Sequence, residues 1–533
     1  MSELAWWQRG VVYEIYPRSF KDANGDGIGD LRGIIDELDY LSWLGVDALW
    51  LTPVFPSPMV DFGYDVSDYT DIDPVFGDLA TMDALVREAH ARRLKIVLDF
   101  VANHTSDRHP WFLESRSSRS NPKRDWYIWR DPAADGGPPN NWMSAFGGGA
   151  WEWDAPTGQY YYHAFAKEQP DLNWRNPDVR AQMHAVLRFW LDRGVDGFRL
   201  DAVARLIEDE HFRDNPPAPE VHPPRRPDLA RIPYSRNLPE VHEVLAGFRR
   251  LVNAYDDRVL IGETYLPIED LMAYYGKDLG GVHLPMNFHL MLRPWDAETV
   301  AALVQEYEDA LPPGAWPNWV LGNHDNPRVA TRLGLAQARV GAMLLFTLRG
   351  TPLMYYGDEI GMEDGTIPPE RVRDICTTTT PGNGMGRDPA RTPMQWDAST
   401  HGGFSTGEPW LPVSPNCSDV NVETEKDDPL SMLTLYRRLI GLRRDDPALA
   451  GGAWKPLCVQ GGAFVYLRAA GLRRLMIALN MTDEPCALLL ANRLRGGRVL
   501  LNTHLDRSEE VVAEDLELRA DEGVIVELRA PEG

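Results

Sequence analysis

The sequence predicts an α/β fold: a (β/α)8 TIM barrel, a small domain inserted after its third strand, and a C-terminal antiparallel β-sandwich. Three observations point there. Eight short β-branched or aromatic runs alternate with amphipathic stretches. One long interruption rich in Trp, Tyr, Gly and Pro follows the third run. Beyond about residue 455 the pattern changes to short apolar–polar alternation.

The eight runs are VVYEIYP (11–17), ALWLTP (48–53), KIVLDFV (95–101), GFRLDAV (197–203), RVLIGET (258–264), GVHLPMNF (281–288), NWVLGNHD (318–325) and TPLMYYGDE (351–359). Amphipathic stretches such as LATMDALVREAHARR (79–93) and VRAQMHAVLRFWLDRG (179–194) separate several of them. Apolar strands alternating with helices of this length imply parallel βαβ units. Eight such strands suit a closed barrel better than a doubly wound sheet, and no G-x-G-x-x-G follows the first. The barrel is therefore expected over residues 1–103 and 174–455. Residues 104–173, with WYIWRDP, NNWMSAFGGGAWEWD and YYYHAF, are too long for a simple loop and are expected to form the inserted domain. Residues 456–533, with AFVYLRA, LRRLMIALN and GVIVELRA, are expected to form the sandwich. A Pro-rich stretch, NPPAPEVHPPRRPD (215–228), reads as an exposed loop near the barrel mouth.

The bulk properties narrow the partners. A formal charge of −25 would repel phosphates, which argues against nucleic acid or an anionic membrane. No apolar run reaches the roughly 18 residues that a membrane span needs. The start, MSELAWWQRGVVYEIYP, lacks the basic segment and unbroken apolar run of a signal peptide. Cys376, Cys417, Cys458 and Cys486 show no metal-ligand spacing and read as reduced thiols. A cytoplasmic protein acting on a small neutral or cationic ligand is the expectation.

Charges fall at the ends of the runs. Asp99 ends KIVLD, Asp201 ends GFRLD, Glu263 ends RVLIGE and Asp325 ends NWVLGNHD, with His104, Arg199 and His324 beside them. Any one of these could be a cap or a solvated edge. Buried carboxylates are costly unless paired, however, and the C-terminal strand ends of a barrel are where catalytic groups converge. A carboxylate pair without a serine triad, reactive thiol or zinc cluster points to glycoside chemistry. One carboxylate must stay ionised, and the other must hold a proton for the leaving oxygen. Arg199, two residues before Asp201 and on the same strand face, would hold that carboxylate ionised. The 18 Trp and 19 Tyr can line a sugar site with aromatic rings.

DFVANH, GFRLDAV, GET and GNHD, in this order and on these strands, resemble the four signature regions of the α-amylase family, glycoside hydrolase family 13. GVDALWLTP (45–53), QPDLN (169–173) and GTPLMYYGDE (350–359) are similar to its further regions. QPDLN and RTPMQWD (391–397) narrow the resemblance to the branch of α-glucosidases and oligo-1,6-glucosidases, which also holds trehalose- and sucrose-converting enzymes. The resemblance implies Asp201 as nucleophile, Glu263 as general acid and then base, and Asp325 as the group gripping the 2- and 3-hydroxyls of a terminal glucose. It implies that His104 and His324 bond the same sugar, that Asp61 and Tyr64 of DFGYDVSDY form the pocket floor and wall, and that Phe165 is an aromatic wall. Arg199 is counted with the substrate-binding groups, Asp99 supports the site, and Arg387 closes it around Asp325. Hydrolysis with retention follows, with the carboxylates about 5–5.5 Å apart.

KDANGDGIGDL (21–31) begins like an EF-hand but carries Gly33 where that loop needs its twelfth-position Glu. Members of this branch hold calcium or magnesium on such a loop. The resemblance thus implies a structural Ca2+ (or Mg2+) on Asp22, Asn24, Asp26 and Asp30, with the Ile28 carbonyl. The resemblance implies an exo-acting α-glucosidase that prefers α-1,4 bonds in disaccharides and short oligosaccharides. Ala202 follows the nucleophile, and in related enzymes Ala or Thr there accompanies α-1,4 cleavage, whereas Val accompanies α-1,6. The alternatives are an oligo-1,6-glucosidase, or a transglucosylase of the trehalose synthase or sucrose isomerase type. A non-catalytic relative, such as a transporter heavy-chain ectodomain, would need a membrane span and would lose the carboxylates.

Overall fold

A computed structural model describes residues 4–217, 232–379, 386–489, 496–512 and 515–529. From residue 218 on, the Pro-rich stretch lies outside these residues.

All eight runs form strands of one parallel sheet: β1 Val12–Ile15, β2 Ala48–Leu51, β3 Lys95–Phe100, β7 Gly197–Leu200, β8 Val259–Gly262, β9 Leu284–Pro285, β10 Asn318–Val320 and β11 Thr351–Tyr355. The strand order is β10-β11-β1-β2-β3-β7-β8-β9, a nearly closed barrel. At the seam between its two ends the Asn318 amide reaches across: Nδ2 donates to the Pro285 carbonyl (2.5 Å) and Oδ1 accepts from the Asn287 N–H (3.0 Å). The strands read as continuous apolar runs because both faces are covered, the interior by side chains and the outside by helices. Helix Pro177–Asp192 shows the pattern: Asn176 caps it through the Asp178 N–H, and Val179, Met183, Val186, Leu187 and Trp190 are buried. Each such side chain contributes about 1.5–3 kcal/mol on burial.

Within residues 104–173 a three-stranded antiparallel sheet forms, β4 Trp129–Arg130, β6 Gln159–Tyr162 and β5 Trp151–Asp154 in that spatial order. The C-terminal strands are β12 Ala453–Gln460, β13 Ala463–Ala470, β14 Arg473–Asn480, β15 Cys486–Leu489, β16 Gly497–Asn502, β17 Val511–Val512, β18 Asp515–Leu518 and β19 Gly523–Glu527. They make a six-stranded sheet, β12-β13-β14-β19-β16-β17, and a two-stranded one, β15-β18. β12 starts at Ala453, slightly before the texture change in the sequence. The buried Arg468 of β13 ties this unit to the barrel. Arg468 donates to the Leu449 and Gly452 carbonyls (2.9 and 3.0 Å). Within the barrel itself, Arg443 donates to the carbonyls of Phe346 and Leu348 (3.1 Å each).

The four cysteines are free thiols. No helix among the described residues is long and apolar enough to cross a membrane.

Candidate active site

Backbone ladders seat the two central carboxylates. β7 pairs with β8 in the register Leu200–Gly262, so the next residues, Asp201 and Glu263, emerge side by side. The Asp201 N–H donates to the Phe100 carbonyl (3.0 Å), and the Glu263 N–H to that of Leu200 (2.9 Å). Adjacent strands lie about 4.7–4.9 Å apart. Gly197 permits this spacing, since a Cβ there would stand 2.4 Å from the Val259 carbonyl oxygen.

Arg199, on β7 and pointing inward, organises three carboxylates. Its Nη1 donates to Asp201 Oδ1 (2.7 Å) and to both oxygens of Asp99 (2.9 and 3.0 Å), while Nη2 lies 2.9 Å from Glu263 Oε2. The Ala202 N–H also donates to Glu263 Oε2 (3.0 Å). Asp99 further accepts from Trp50 Nε1 (3.2 Å) and the Tyr64 hydroxyl (3.1 Å). Arg199 and Asp99 have no exposed side-chain surface, whereas those of Asp201, Glu263 and Asp325 are 10 %, 9 % and 23 % exposed. Arg199 therefore lies beneath the site and holds the groups that reach a ligand.

Burial pushes Asp201 up to about 7 despite Arg199, helped by the nearby Asp99 charge, while a hydrogen bond from Glu263 opposes the shift. The sequence reading has Arg199 holding Asp201 ionised; desolvation outweighs the guanidinium, so the carboxylate ionises only from about 7 upward. Burial raises Glu263 to about 8, again against Arg199 and with the Asp201 charge adding to the rise. Of the pair, Glu263 holds its proton to higher pH.

Asp325 lies past β10, on the loop after Val320 rather than at the strand end itself. Arg391 Nη2 donates to its Oδ1 (2.9 Å), and Arg387 Nη1 is 3.4 Å from the same oxygen. Burial would raise its pKa, but His324, Arg387 and Arg391 together hold it far below the usual carboxylate range. Burial keeps His324 itself neutral, so the arginines are the charges that act at neutral pH.

Arg387 Nη2 also donates to Asp61 (2.5 Å) and Asp374 (2.6 Å). Asp61 accepts from Gln169 as well (3.3 Å). His324 stacks on Tyr64, with ring centroids 5.5 Å apart, and its Nε2 is 2.8 Å from the Tyr64 hydroxyl. His104 spends both ring nitrogens locally: Nε2 donates to the Tyr64 carbonyl (3.0 Å), and Nδ1 accepts from Asn103 (3.2 Å). Burial lowers its pKa to about 4, so it is neutral. Phe165 packs 5.2 Å from the His104 ring, and Phe146 lies 5.3 Å from the Arg387 guanidinium. Both phenylalanines also line a cavity of about 390 Å3, bounded further by Glu152, Lys167 and Thr378.

The structure thus gathers Asp61, Tyr64, Asp99, His104, Phe165, Arg199, Asp201, Glu263, His324, Asp325 and Arg387 around one barrel mouth. Sequence reasoning missed Asp374, Arg391 and Glu14. Arg391 opens the quoted RTPMQWD segment, and Glu14 is a charge inside the first apolar run, a visible signal.

The loop after the first strand is folded on itself. Asp22 Oδ1 accepts from the Asn24 and Gly25 N–H groups (2.9 and 2.7 Å), Asn24 from Asp26 (2.9 Å), and Asp26 from Ile28 (2.8 Å). Asp30 caps helix Leu31–Asp36 through the Gly33 N–H (2.7 Å). Its donors are all hard oxygens, the chemistry calcium favours. Among the described residues, the His/Asp/Glu trio whose ligand atoms lie within 4.8 Å of one another is His504, Asp506 and Glu522. There Arg519 already pairs with both acids, at 2.7 and 2.8 Å.

A barrel whose strand ends bring a desolvated carboxylate pair over one arginine, beside an arginine-clamped aspartate and aromatic walls, defines a glycoside hydrolase. The chain belongs to the alpha-amylase family, whose catalytic-domain model matches residues 14–452. It is 43 % identical over 501 residues to a probable alpha-glucosidase of Rhizobium meliloti (strain 1021), covering 90 % of each chain. It is 39 % identical over 569 residues to an oligo-1,6-glucosidase of Parageobacillus thermoglucosidasius, covering 99 % of this chain and 100 % of that one. The solved structure of the alpha-glucosyl transfer enzyme XgtA superposes with a TM-score of 0.93 at 38 % identity, over 99 % of this chain and 100 % of that one.

Proposed function

We propose that the protein is a retaining, exo-acting α-glucosidase that releases glucose from disaccharides and short oligosaccharides, with α-1,4 bonds preferred. The observation that carries this reading is the adjacent Asp201–Glu263 pair under Arg199. Its strand spacing suits the roughly 5–5.5 Å carboxyl separation of double displacement. Asp201 attacks the anomeric carbon as Glu263 gives its proton to the departing glycosidic oxygen, leaving a β-glucosyl ester. Glu263, now a carboxylate, takes a proton from water. That water attacks the same carbon, the ester bond breaks, and Asp201 leaves ionised. Asp325 accepts hydrogen bonds from the 2- and 3-hydroxyls of the glucosyl ring, with Arg387 and Arg391 fixing its carboxylate. His104 and His324 lie against the same sugar, Asp61 and Tyr64 form its floor and wall, and Phe165 its aromatic side. The cavity beyond Phe146 and Phe165 offers room for the leaving sugar.

Product analysis on maltose, isomaltose, sucrose and trehalose, with the anomer of the released glucose followed by NMR, tests the proposal. Alpha-glucose from maltose is expected; beta-glucose refutes double displacement. A second reading, glucosyl transfer rather than hydrolysis, is favoured by the likeness to the alpha-glucosyl transfer enzyme. New disaccharides in the same assay would select it. Faster cleavage of isomaltose than maltose would select the oligo-1,6-glucosidase alternative, to which the Parageobacillus relative lends support.

The loop from Asp22 to Asp30 is proposed to hold a structural calcium, with magnesium as the competing ion. Asp22, Asn24, Asp26, Asp30 and the Ile28 carbonyl would supply the oxygens. Bound there, the ion would stiffen the turn without entering the chemistry. A lower melting temperature in EGTA, restored by calcium, supports it; an unchanged one refutes it. A cytoplasmic location is part of the same proposal, and cell fractionation tests it.

A further inference from the structure

Glu14 sits mid-strand in β1 and is 1 % exposed. Its Oε1 lies 2.5 Å from His324 Nδ1 and 3.4 Å from the His324 N–H. The charged and titratable groups facing it are Arg199, His324, Asp325, Asp99 and Tyr355. The hydrogen-bond directions around His324 can be assigned from one hydroxyl. Tyr64 has a single proton, which it donates to Asp99 Oδ2 at 3.1 Å. At the 2.8 Å contact with His324 Nε2 the hydroxyl must then accept, so Nε2 carries hydrogen. A neutral imidazole protonated at Nε2 has a lone pair at Nδ1, and among the described residues Glu14 is the group that stands there to fill it. Asp325 Oδ1 is 3.5 Å from the same Nε2.

We propose that Glu14 is a positioning residue: its protonated carboxyl donates to His324 Nδ1, fixing the tautomer and ring plane that hold Nε2–H on the Tyr64 hydroxyl, beside Asp325. Burial among acids, which raises Glu14 well above the usual carboxylate range, keeps the required proton in place. The chain of contacts then runs from Glu14 through His324, Tyr64 and Asp99 to Arg199, and so to the nucleophile. This inference rests on the glucosidase reading for its kinetic part alone.

Two variants and two readouts test it, on the full-length protein. Glu14→Gln keeps the shape and an N–H donor for Nδ1; Glu14→Ala removes both. With an aryl α-glucoside, Glu14→Ala should lose about 30-fold in kcat with KM within about threefold, while Glu14→Gln stays within about fivefold of wild type. The ring 15N shifts of His324, assigned by their loss in His324→Asn, should show Nε2–H in wild type and Glu14→Gln, and mixed tautomers in Glu14→Ala. Near wild-type kcat in Glu14→Ala, equal damage in both variants, or Nδ1–H in the wild-type protein overturns the proposal. If the wild type fails to turn over the glucoside, the glucosidase reading falls, and the 15N shifts still decide the role of Glu14.

Discussion

Replacing Arg199 by Lys keeps one positive charge beneath the site but removes the fork. In the native protein the guanidinium makes four contacts of 3.0 Å or less, to Asp201, to both oxygens of Asp99, and to Glu263. A single ammonium at the end of a shorter stem can keep the Asp201 contact and one to Asp99. The Glu263 contact and the second Asp99 bond are lost. Of these the Asp99 bond is a charge-assisted hydrogen bond, which contributes about 1.5–3 kcal/mol, while the Glu263 contact is an ion pair without hydrogen-bond geometry. At about 1.4 kcal/mol per decade, the lost bond corresponds to a fall in kcat/KM of about 10–10²-fold if all of it falls on the transition state. The remainder appears as a lower melting temperature, because three buried carboxylates are left under-compensated. The pH profile separates this account from simple misplacement. With a weaker positive partner Asp201 takes up its proton more readily, so the acid limb should move upward from about 7. Steady-state kinetics of Arg199→Lys across pH 5–9 is the assay. A variant within about fivefold of wild type, with an unmoved acid limb, would refute the claim that one guanidinium organises the pair.

The remaining expectations concern the same rim. In the wild type, kcat/KM should be bell-shaped, falling below about 7 as Asp201 becomes protonated and above about 8 as Glu263 loses its proton. Those limbs belong to the interacting pair rather than to either group alone. Glu263→Gln should abolish the alkaline limb and slow natural substrates far more than aryl glucosides, whose leaving groups need no proton; equal slowing of both would assign the acid elsewhere. Ala202 has left-handed backbone angles (φ 46°, ψ 37°). Ala already bears the Cβ cost of that conformation, and Ala202→Val adds β-branching where it is disfavoured, so it should destabilise the protein by about 1 kcal/mol, read as a lower melting temperature.

The barrel was legible because its strands are buried on both faces and stand out as apolar runs. Each of the eight runs became a strand of the parallel sheet. The positions of Asp201 and Glu263 were equally legible, since a carboxylate closing an apolar run has few uses there. Asp325 was read as ending a strand, but β10 stops at Val320 and a turn carries the aspartate into place. The arginine clamp was harder to see. Arg391 and Asp374 reach the site from the long segment after β11, and no local period marks which of its many polar residues turns inward. Glu14 was visible as a charge in the first run, yet its partner His324 is 310 residues away. Nor could residue spacing show that desolvation would outweigh Arg199 at Asp201.

The Asn318 side chain closes the barrel where β9 and β10 meet, a task the other strands give to the main chain. β9 spans two residues and ends in Pro285, which has no N–H to offer a neighbour. Protection against hydrogen exchange should therefore be weakest along this stave of the wall, which stands between the strand bearing Glu263 and the loop bearing Asp325. Heating would part the general acid from the hydroxyl grip before it loosens the nucleophile, so activity should fade ahead of global melting, and Asn318→Leu should widen that gap.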